Sequence, residues 1–347
     1  KGHLTDFIIK KMLGENNTEV RFMGELFYEY HPNGMKFYAY LDEQLLGDWL
    51  VFSVGGGALK ELNEDRETSL HHYYRFKTMK DILHYLTTYK LSFIDYVIES
   101  EPSDILLWAE EVINVMFASV ERGFANQTIL PGPLKIKRRA SSIYEKYLQT
   151  NDFNALIFAA TLAVSEENAG GGLIVTAPTC GSSGVLPGVL YAYHIKEKIA
   201  KQKLAKALLV GGLFGNLVKE NASISGAEVG CQGEIGTACS MAAAALCYLH
   251  GGTNQQIEYA AEIALEHHLG MTCDPVLGYV QIPCIERNAI SAKRAIDACE
   301  YALLTDGKHF IDFDSVVTTL KETGKDLNSI YRETSLGGLA KVKIESD

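Results

Sequence analysis

Positive charge is in short supply in this chain, where 32 Lys and Arg face 43 Asp and Glu for a formal net charge of −11. Binding along a nucleic-acid backbone draws on clustered Lys and Arg, so no nucleic-acid partner is expected. The one basic run, KIKRR at 135–139, is short and reads as a solvated face or a local ion-pair partner, with a small anion site as the lesser alternative. Long apolar runs are absent as well: no window reaches the roughly eighteen residues of a membrane helix, and no basic-then-apolar leader opens the sequence. The expected location is the cytoplasm, with no membrane partner. Close cysteine pairs are missing too. Seven cysteines, an odd number, lie scattered over 347 residues, which argues against a disulfide framework and fits a reducing compartment. The first residue is Lys1 rather than Met, and the sequence is expected to continue upstream of it.

What is present is an ordinary globular composition, 47% hydrophobic and 22% charged, over a length sufficient for two domains with cores of their own. Residues 4–13 read as a helix with Thr5 as N-cap. From 20 to 57 the pattern is that of strands: ELFYEYHPNGMKFYAYL sets Asn33-Gly34 between aromatic runs as a hairpin signal, and DWLVFSV at 48–54 reads as a third strand closed by Gly55, Gly56 and Gly57. Charged, aperiodic sequence over 58–77 holds the linker, placed at 61–77, which divides a first domain at 1–60 from a second at 78–347. Beyond it, nearly everything is helical. Ser103 is the expected cap of a helix in which Ile105, Trp108, Ala109, Val112 and Met116 recur at helical spacing, with Gly123 as its stop. Further helices are predicted near 140–149, 152–165, 185–199, 203–219, 236–250, 254–269, 289–303 and 313–323. The fold class is α+β, a mostly α-helical domain preceded by a partial α/β domain.

Six polar or glycine-rich turns interrupt the helices: LPGPL (130–134), NAGGG (168–172), TAPTCGSSG (176–184), NASISGAEVGCQGE (221–234), GMTCDPV (270–276) and PCIERN (283–288). Glycine-bearing loops inside a helical bundle point to function, and these turns are expected to converge on one site. Cys239, Cys247 and Cys299 lie in apolar helical runs, where cysteine serves as a small hydrophobe. Cys180, Cys231, Cys273 and Cys284 sit beside Gly, Pro, Asp or Glu and are the ligand or nucleophile candidates. The spacing of Cys231, Cys273 and Cys284 matches neither a zinc ribbon nor the compact run of a bacterial ferredoxin, so spacing alone leaves metal ligation and free thiols both open. Pro275 after Cys273 and Pro283 before Cys284 predict non-helical backbone at both thiols. Three thiolates would leave one iron of a [4Fe–4S] cluster without a protein ligand, and an open iron is a Lewis acid suited to eliminating water from a small hydroxy acid.

The stretches KENASISGAEVGCQGEIGTACSMAAAA, EHHLGMTCDPVLGYVQIPCIERNAI, TAPTCGSSG, LPGPLKIKRRAS and TGKDLNSIYRETSLGGLA resemble the iron–sulfur-dependent bacterial L-serine dehydratases (L-serine ammonia-lyases). The resemblance runs from about 78 to the end, and KGHLTDF through SVGGG is similar to the later part of that family's β-domain. It implies that Cys231, Cys273 and Cys284 hold a [4Fe–4S] cluster whose fourth iron takes L-serine, with pyruvate and ammonia as products and a homodimer as the assembly. It also implies oxygen sensitivity. Two departures stand out. The family's upstream Ser-Ser-Ser-His-Thr motif precedes the first residue here, and the tail KVKIESD carries Ser346 where relatives have a cysteine that folds back onto the open iron. Cys180 also stands where relatives often carry Asn.

His3 matches a family position facing the interdomain cleft and is the candidate base or proton relay, with helix capping as the alternative. Thr179, Gly181 and Ser182 precede a predicted helix and offer hydroxyl and amide donors for a carboxylate, against a plain turn. Asn221 and Ser223 are read as substrate or cluster-sulfur donors, against simple side-chain turns. His267 is weighted slightly above a satisfied core histidine, Glu286 and Arg287 read as a structural ion pair, and Lys219 as surface. The competing classes are a non-catalytic cluster- or metal-binding module that senses serine or redox state, and a zinc-dependent hydrolase. A pyridoxal phosphate enzyme would need a Schiff-base lysine and a phosphate cup, for which no convincing candidates occur.

Overall fold

The computed structural model describes residues 4–23, 26, 28–31, 33–62, 73–332 and 336–342. Helix α1 (Thr5–Leu13) starts from Leu4, which is left-handed and offers no side-chain cap, so Thr5 is its first residue and not its N-cap. A three-stranded antiparallel sheet follows in the order β1 (Gly34–Leu41), β2 (Gln44–Ser53), β3 (Leu59–Glu61). The hairpin does not turn at Asn33-Gly34. Gly34 opens β1 opposite Phe52, and the chain reverses at Asp42-Glu43, where Asp42 takes φ 51°. The aromatic residues before Asn33 are used otherwise: Tyr28 and Tyr30 pack their rings on Phe52 at 5.4 and 4.8 Å. An Asn-Gly pair makes a hairpin turn only where both flanking runs pair with each other, and among the described residues the upstream run does not. Strand β3 carries the sheet into the start of the stretch read as linker.

The helices are α2 (Met79–Tyr89), α3 (Phe93–Ser100), α4 (Ile105–Ala125), α5 (Ala140–Thr150), α6 (Phe153–Ala169), α7 (Val185–Glu197), α8 (Lys201–Asn221), α9 (Gly226–Val229), α10 (Thr237–Leu249), α11 (Asn254–Glu266), α12 (Cys284–Leu303) and α13 (Phe313–Asp326). With one small sheet, the architecture is the expected mostly helical α+β. Thr78, Ser92, Asp152, Thr253 and Asp312 accept backbone N–H groups at the starts of α2, α3, α6, α11 and α13. Ser103 does not cap; α4 begins after Asp104, without a side-chain cap bond. Nor does Gly123 end that helix. A Cβ there would stand 2.5 Å from Ala163 Cβ on α6, so the missing side chain serves the helix crossing and not termination.

Helix α10 is the central member. Ala242, Ala243, Ala244 and Ala245 are fully buried, and α7, α8, α11 and α12 pack around it. Small side chains on both partners bring axes close: a Cβ on Gly211 of α8 would lie 2.5 Å from Met241 O. This packing gathers the C-terminal ends of α8 and α11 with the N-terminal ends of α7, α10 and α12, so the turns between them meet. The sheet touches the same place. A Cβ on Gly56, three residues past β2, would stand 3.2 Å from both Pro178 O and Ile224 Cδ1, and Leu4, just before α1, lies 3.4 Å from where a Gly171 Cβ would be. No helix among the described residues is long and apolar enough to cross a membrane.

Candidate metal centre

Helix α9 ends at Gly230, whose φ of 77° and close approach to Met271 O (2.6 Å from a would-be Cβ) require glycine. Cys231 then leads into a π-helical turn, Gln232–Gly236, that continues as α10. Single π-turns recur at functional sites because one extra residue redirects the side chains around them. Gln232 is locked from three sides: Gly270 N–H (3.0 Å) and Thr323 Oγ1 (2.9 Å) donate to its Oε1, and its Nε2 donates to Val229 O (2.8 Å). Cys273 lies on extended backbone, its N–H donating to Tyr331 O at 2.7 Å in a parallel bridge between Cys273 and Arg332. Cys284 departs from expectation, being the first residue of α12 with Pro283 as N-cap. A proline is compatible with a helix start because its missing N–H would find no partner within the helix there.

The three thiols are buried. Cys231 Sγ, Cys273 Sγ and a Glu234 carboxylate oxygen lie within 4.8 Å of one another. Glu234 Oε2 is 4.0 Å from Cys231 Sγ and 3.8 Å from Cys273 Sγ, while its Oε1 accepts from Thr179 Oγ1 at 2.7 Å. Cys284 stands outside that tight group and is tied to it by Arg287, one turn along α12. Burial opposes the charge of Arg287, yet the hydrogen-bonded Cys231, then Cys284 and Asp274, carry its pKa above the ordinary guanidinium value. The same guanidinium donates to Thr272 O (2.6 Å) and pairs with Asp274 (3.4 Å), so it touches or faces all three cysteine segments. Asp274 also accepts from Thr272 Oγ1 and Leu339 N–H, both at 2.8 Å.

The turn before α7 is equally constrained. Thr179 Oγ1 and Ser182 Oγ share a 3.0 Å hydrogen bond, and Asn288 of α12 accepts Gly184 N–H at 3.0 Å while donating to Gly181 O at 2.7 Å. A Cβ on Gly181 would stand 3.1 Å from Glu234 Oε1. Thr179, Gly181 and Ser182 therefore line up beside Glu234 and the cysteines. Burial, followed by the Glu234 charge, pushes the Cys180 thiol up. Asn221 and Ser223 are engaged in the neighbouring turn: Asn221 Nδ2 donates to Lys77 O (2.8 Å) and Leu217 O (3.0 Å), and Ser223 Oγ donates to Glu228 and accepts Ser225 N–H (3.0 Å).

Other side chains sort differently from expectation. His267 is exposed, and His268 is the buried one, held by Ala264 O (2.7 Å) and Ser291 Oγ (2.9 Å). Glu286 pairs with Arg139 (3.0 Å) and not with Arg287. In the basic run, Arg138 forms a buried pair with Glu167 (3.0 Å), so the run serves ion pairing. Lys219 is exposed. His3, Ser346 and residues 333–335 lie outside the described residues. Glu234 and Asn288 were not singled out from the sequence. Their positions held a signal, Glu234 three residues after Cys231 and Asn288 four after Cys284, the spacings that share a helix face.

The family model described as "Serine dehydratase alpha chain" matches residues 60–340. This chain belongs to that family. Among its relatives, L-serine dehydratase 1 of Escherichia coli K12 is 41% identical over 333 residues, covering 91% of this chain and 73% of the relative. The L-serine dehydratase of Streptomyces coelicolor is 44% identical over 335 residues, with the same coverage. That of Haemophilus influenzae is 44% identical over 340 residues, 92% of this chain and 73% of the relative. Against this serine dehydratase framework, the donor set passes a simple test. A [4Fe–4S] cluster takes one thiolate per iron, so its ligands surround the cluster instead of meeting at a point, and nearby donors tune it. Two adjacent buried thiols, a third across Arg287, and Gly226, where a Cβ would stand 3.1 Å from Cys273 Sγ, fit that requirement.

Proposed function

We propose that this chain eliminates water from L-serine to give pyruvate and ammonia, with Cys231, Cys273 and Cys284 holding a [4Fe–4S] cluster. When bound, such a cluster with one thiolate-free iron supplies a Lewis acid for the carboxylate and the departing hydroxyl of serine. The chain's own residues do the rest. The amides at the head of α7, in the turn fixed by Thr179 and Ser182, receive the substrate carboxylate. Glu234 orients the Thr179 hydroxyl through the 2.7 Å bond. Arg287 offsets the negative charge of the thiolates and joins their segments. Asn221 and Ser223 shape the turn that brings Cys231 to the site. His3 takes the proton-transfer role on the family resemblance, which also underlies the proposed homodimer, cytoplasmic location and oxygen sensitivity.

The observation that carries this reading is the meeting of buried Cys231 and Cys273 with Glu234 beside the Thr179 turn, in a chain of the serine dehydratase family. One feature favours a second reading: two thiols and a carboxylate within 4.8 Å suit a single ion, as in a mononuclear zinc site. Metal and sulfide analysis of anaerobically purified protein separates them. The cluster reading expects iron and acid-labile sulfide in equal amounts, their loss in each of Cys231→Ala, Cys273→Ala and Cys284→Ala, and pyruvate formed from L-serine. Zinc without sulfide, or full iron retention in Cys284→Ala, would overturn it.

A further inference from the structure

Away from the cysteines, α11, α12 and the segment 309–311 enclose a groove of about 630 Å³, within the range of small-molecule pockets. Its walls combine the Tyr259, Tyr301 and Phe310 rings with the carboxylates of Glu262, Glu266 and Asp297. Glu262 is the decisive residue. It is 2% exposed, yet its carboxylate makes no hydrogen bond or ion pair with any described residue. The nearest cation is already engaged: His309 Nε2 pairs with Glu258 Oε2 at 2.9 Å, its ring stacked on Tyr259 at 4.2 Å. Arg294, also on the wall, donates to His267 O (3.0 Å). With no protein partner, the Glu262 carboxyl faces the interior of an aromatic-walled groove, an arrangement suited to receive a positive charge.

We propose that this groove binds a small organic dication, an alkyl diamine, with one ammonium on Glu262 and the second at the rim near Glu266 and Asp297. Glu266 lies one helical turn from Glu262 on α11, so the two carboxylates share a face and suit ammonium groups joined by an apolar stem. The alkyl stem would lie against the Tyr301 and Phe310 rings. The site is separate from the serine-binding turn and does not depend on how that turn works.

Burial, reinforced by the charges of Glu266, Glu258 and Asp312 and opposed by His309, pushes the Glu262 pKa up to about 8. Arg294, Asp297, His267, Tyr259 and Tyr301 are the remaining ionisable groups on the walls. Near neutral pH, Glu262 is therefore largely protonated before binding. An ammonium ion favours its carboxylate form, so binding moves the Glu262 proton to the buffer.

Titration calorimetry of the full chain with 1,5-diaminopentane at pH 7, in two buffers of different ionisation enthalpy and constant ionic strength, tests this. One saturable site is expected, with about one proton released per diamine, and at least a tenfold loss of affinity with no proton release in Glu262→Gln. That substitution replaces a largely protonated carboxyl with an amide of the same shape and leaves the fold intact, which circular dichroism verifies. Absence of saturable binding, or unchanged binding and proton release in Glu262→Gln, would overturn the proposal.

Discussion

Acidification should weaken this protein through His268, and by a calculable amount. The residue closes the end of α11, five positions before Cys273, and bridges to Ser291 of α12. Its neutral ring is fully satisfied: Nδ1–H donates to Ala264 O at 2.7 Å and Nε2 accepts from Ser291 Oγ at 2.9 Å. Burial above all, with the charges of Arg294 and His267 adding to it, lowers its pKa from 6.5 to about 4. The folded pKa lies below the unfolded one, so the unfolded chain binds the extra proton between those values, and stability falls as pH drops through that window. At pH 5 the unfolded ring is almost wholly protonated and the folded ring only about one-tenth so, which costs about 2 kcal/mol relative to pH 8. Urea unfolding of the wild-type chain and of His268→Gln at pH 8 and pH 5 isolates this contribution from other titrating groups. The variant should start from a lower stability at pH 8 but lose about 2 kcal/mol less on going to pH 5. If both proteins lose stability in parallel, the buried neutral imidazole is not the cause.

Gly226→Ala should place a methyl 2.5 Å from Glu234 Oε2 and 3.1 Å from Cys273 Sγ; iron content should fall while far-UV circular dichroism holds, and normal iron loading would contradict the geometry. Arg287→Gln removes the cation shared by Cys231, Cys284 and Asp274, so metal should be lost to a chelator at least about tenfold faster, a difference of ~1.4 kcal/mol in barrier readable by absorbance. His309 works in the alkaline direction: the Glu258 hydrogen bond raises its pKa to about 9. Its stabilisation is therefore complete below the unfolded value of 6.5 and lost as pH rises through 9; His309→Gln should flatten that part of a melting-temperature profile, and an unchanged profile would rule the pair out as its source.

Much of this arrangement was legible in the sequence because it depends on local signals. Helical periodicity set the order of the long helices, and four of the six turns, at 176–184, 221–234, 270–276 and 283–288, meet around Glu234 and the cysteines. Cys231 and Cys273 stood out because their neighbours were wrong for a helix core. The illegible parts are those where two distant segments decide the outcome. Gly123 looks like a helix stop until Ala163 is seen against it. Asn33-Gly34 looks like a turn until Phe52 draws Tyr28 and Tyr30 onto its ring. Glu234 acquires its place from a π-turn, which has no compositional signature, and Arg287 acquires its importance only when Cys231 and Thr272 are brought to it from elsewhere in the chain. The histidine pair shows the same limit: periodicity says that His267 and His268 diverge, and Ser291 determines which one turns inward.

The bridge from Cys273 to Tyr331, and the bond from Leu339 to Asp274, tie the turn bearing Cys273 to residues that leave the ribosome after all three cysteines. Until that late segment emerges, the turn bearing Cys273 lacks its backbone partner. The Cys273 turn thus takes its final shape only once that downstream segment has been made, and a substitution between 331 and 339 can reach it without touching any cysteine.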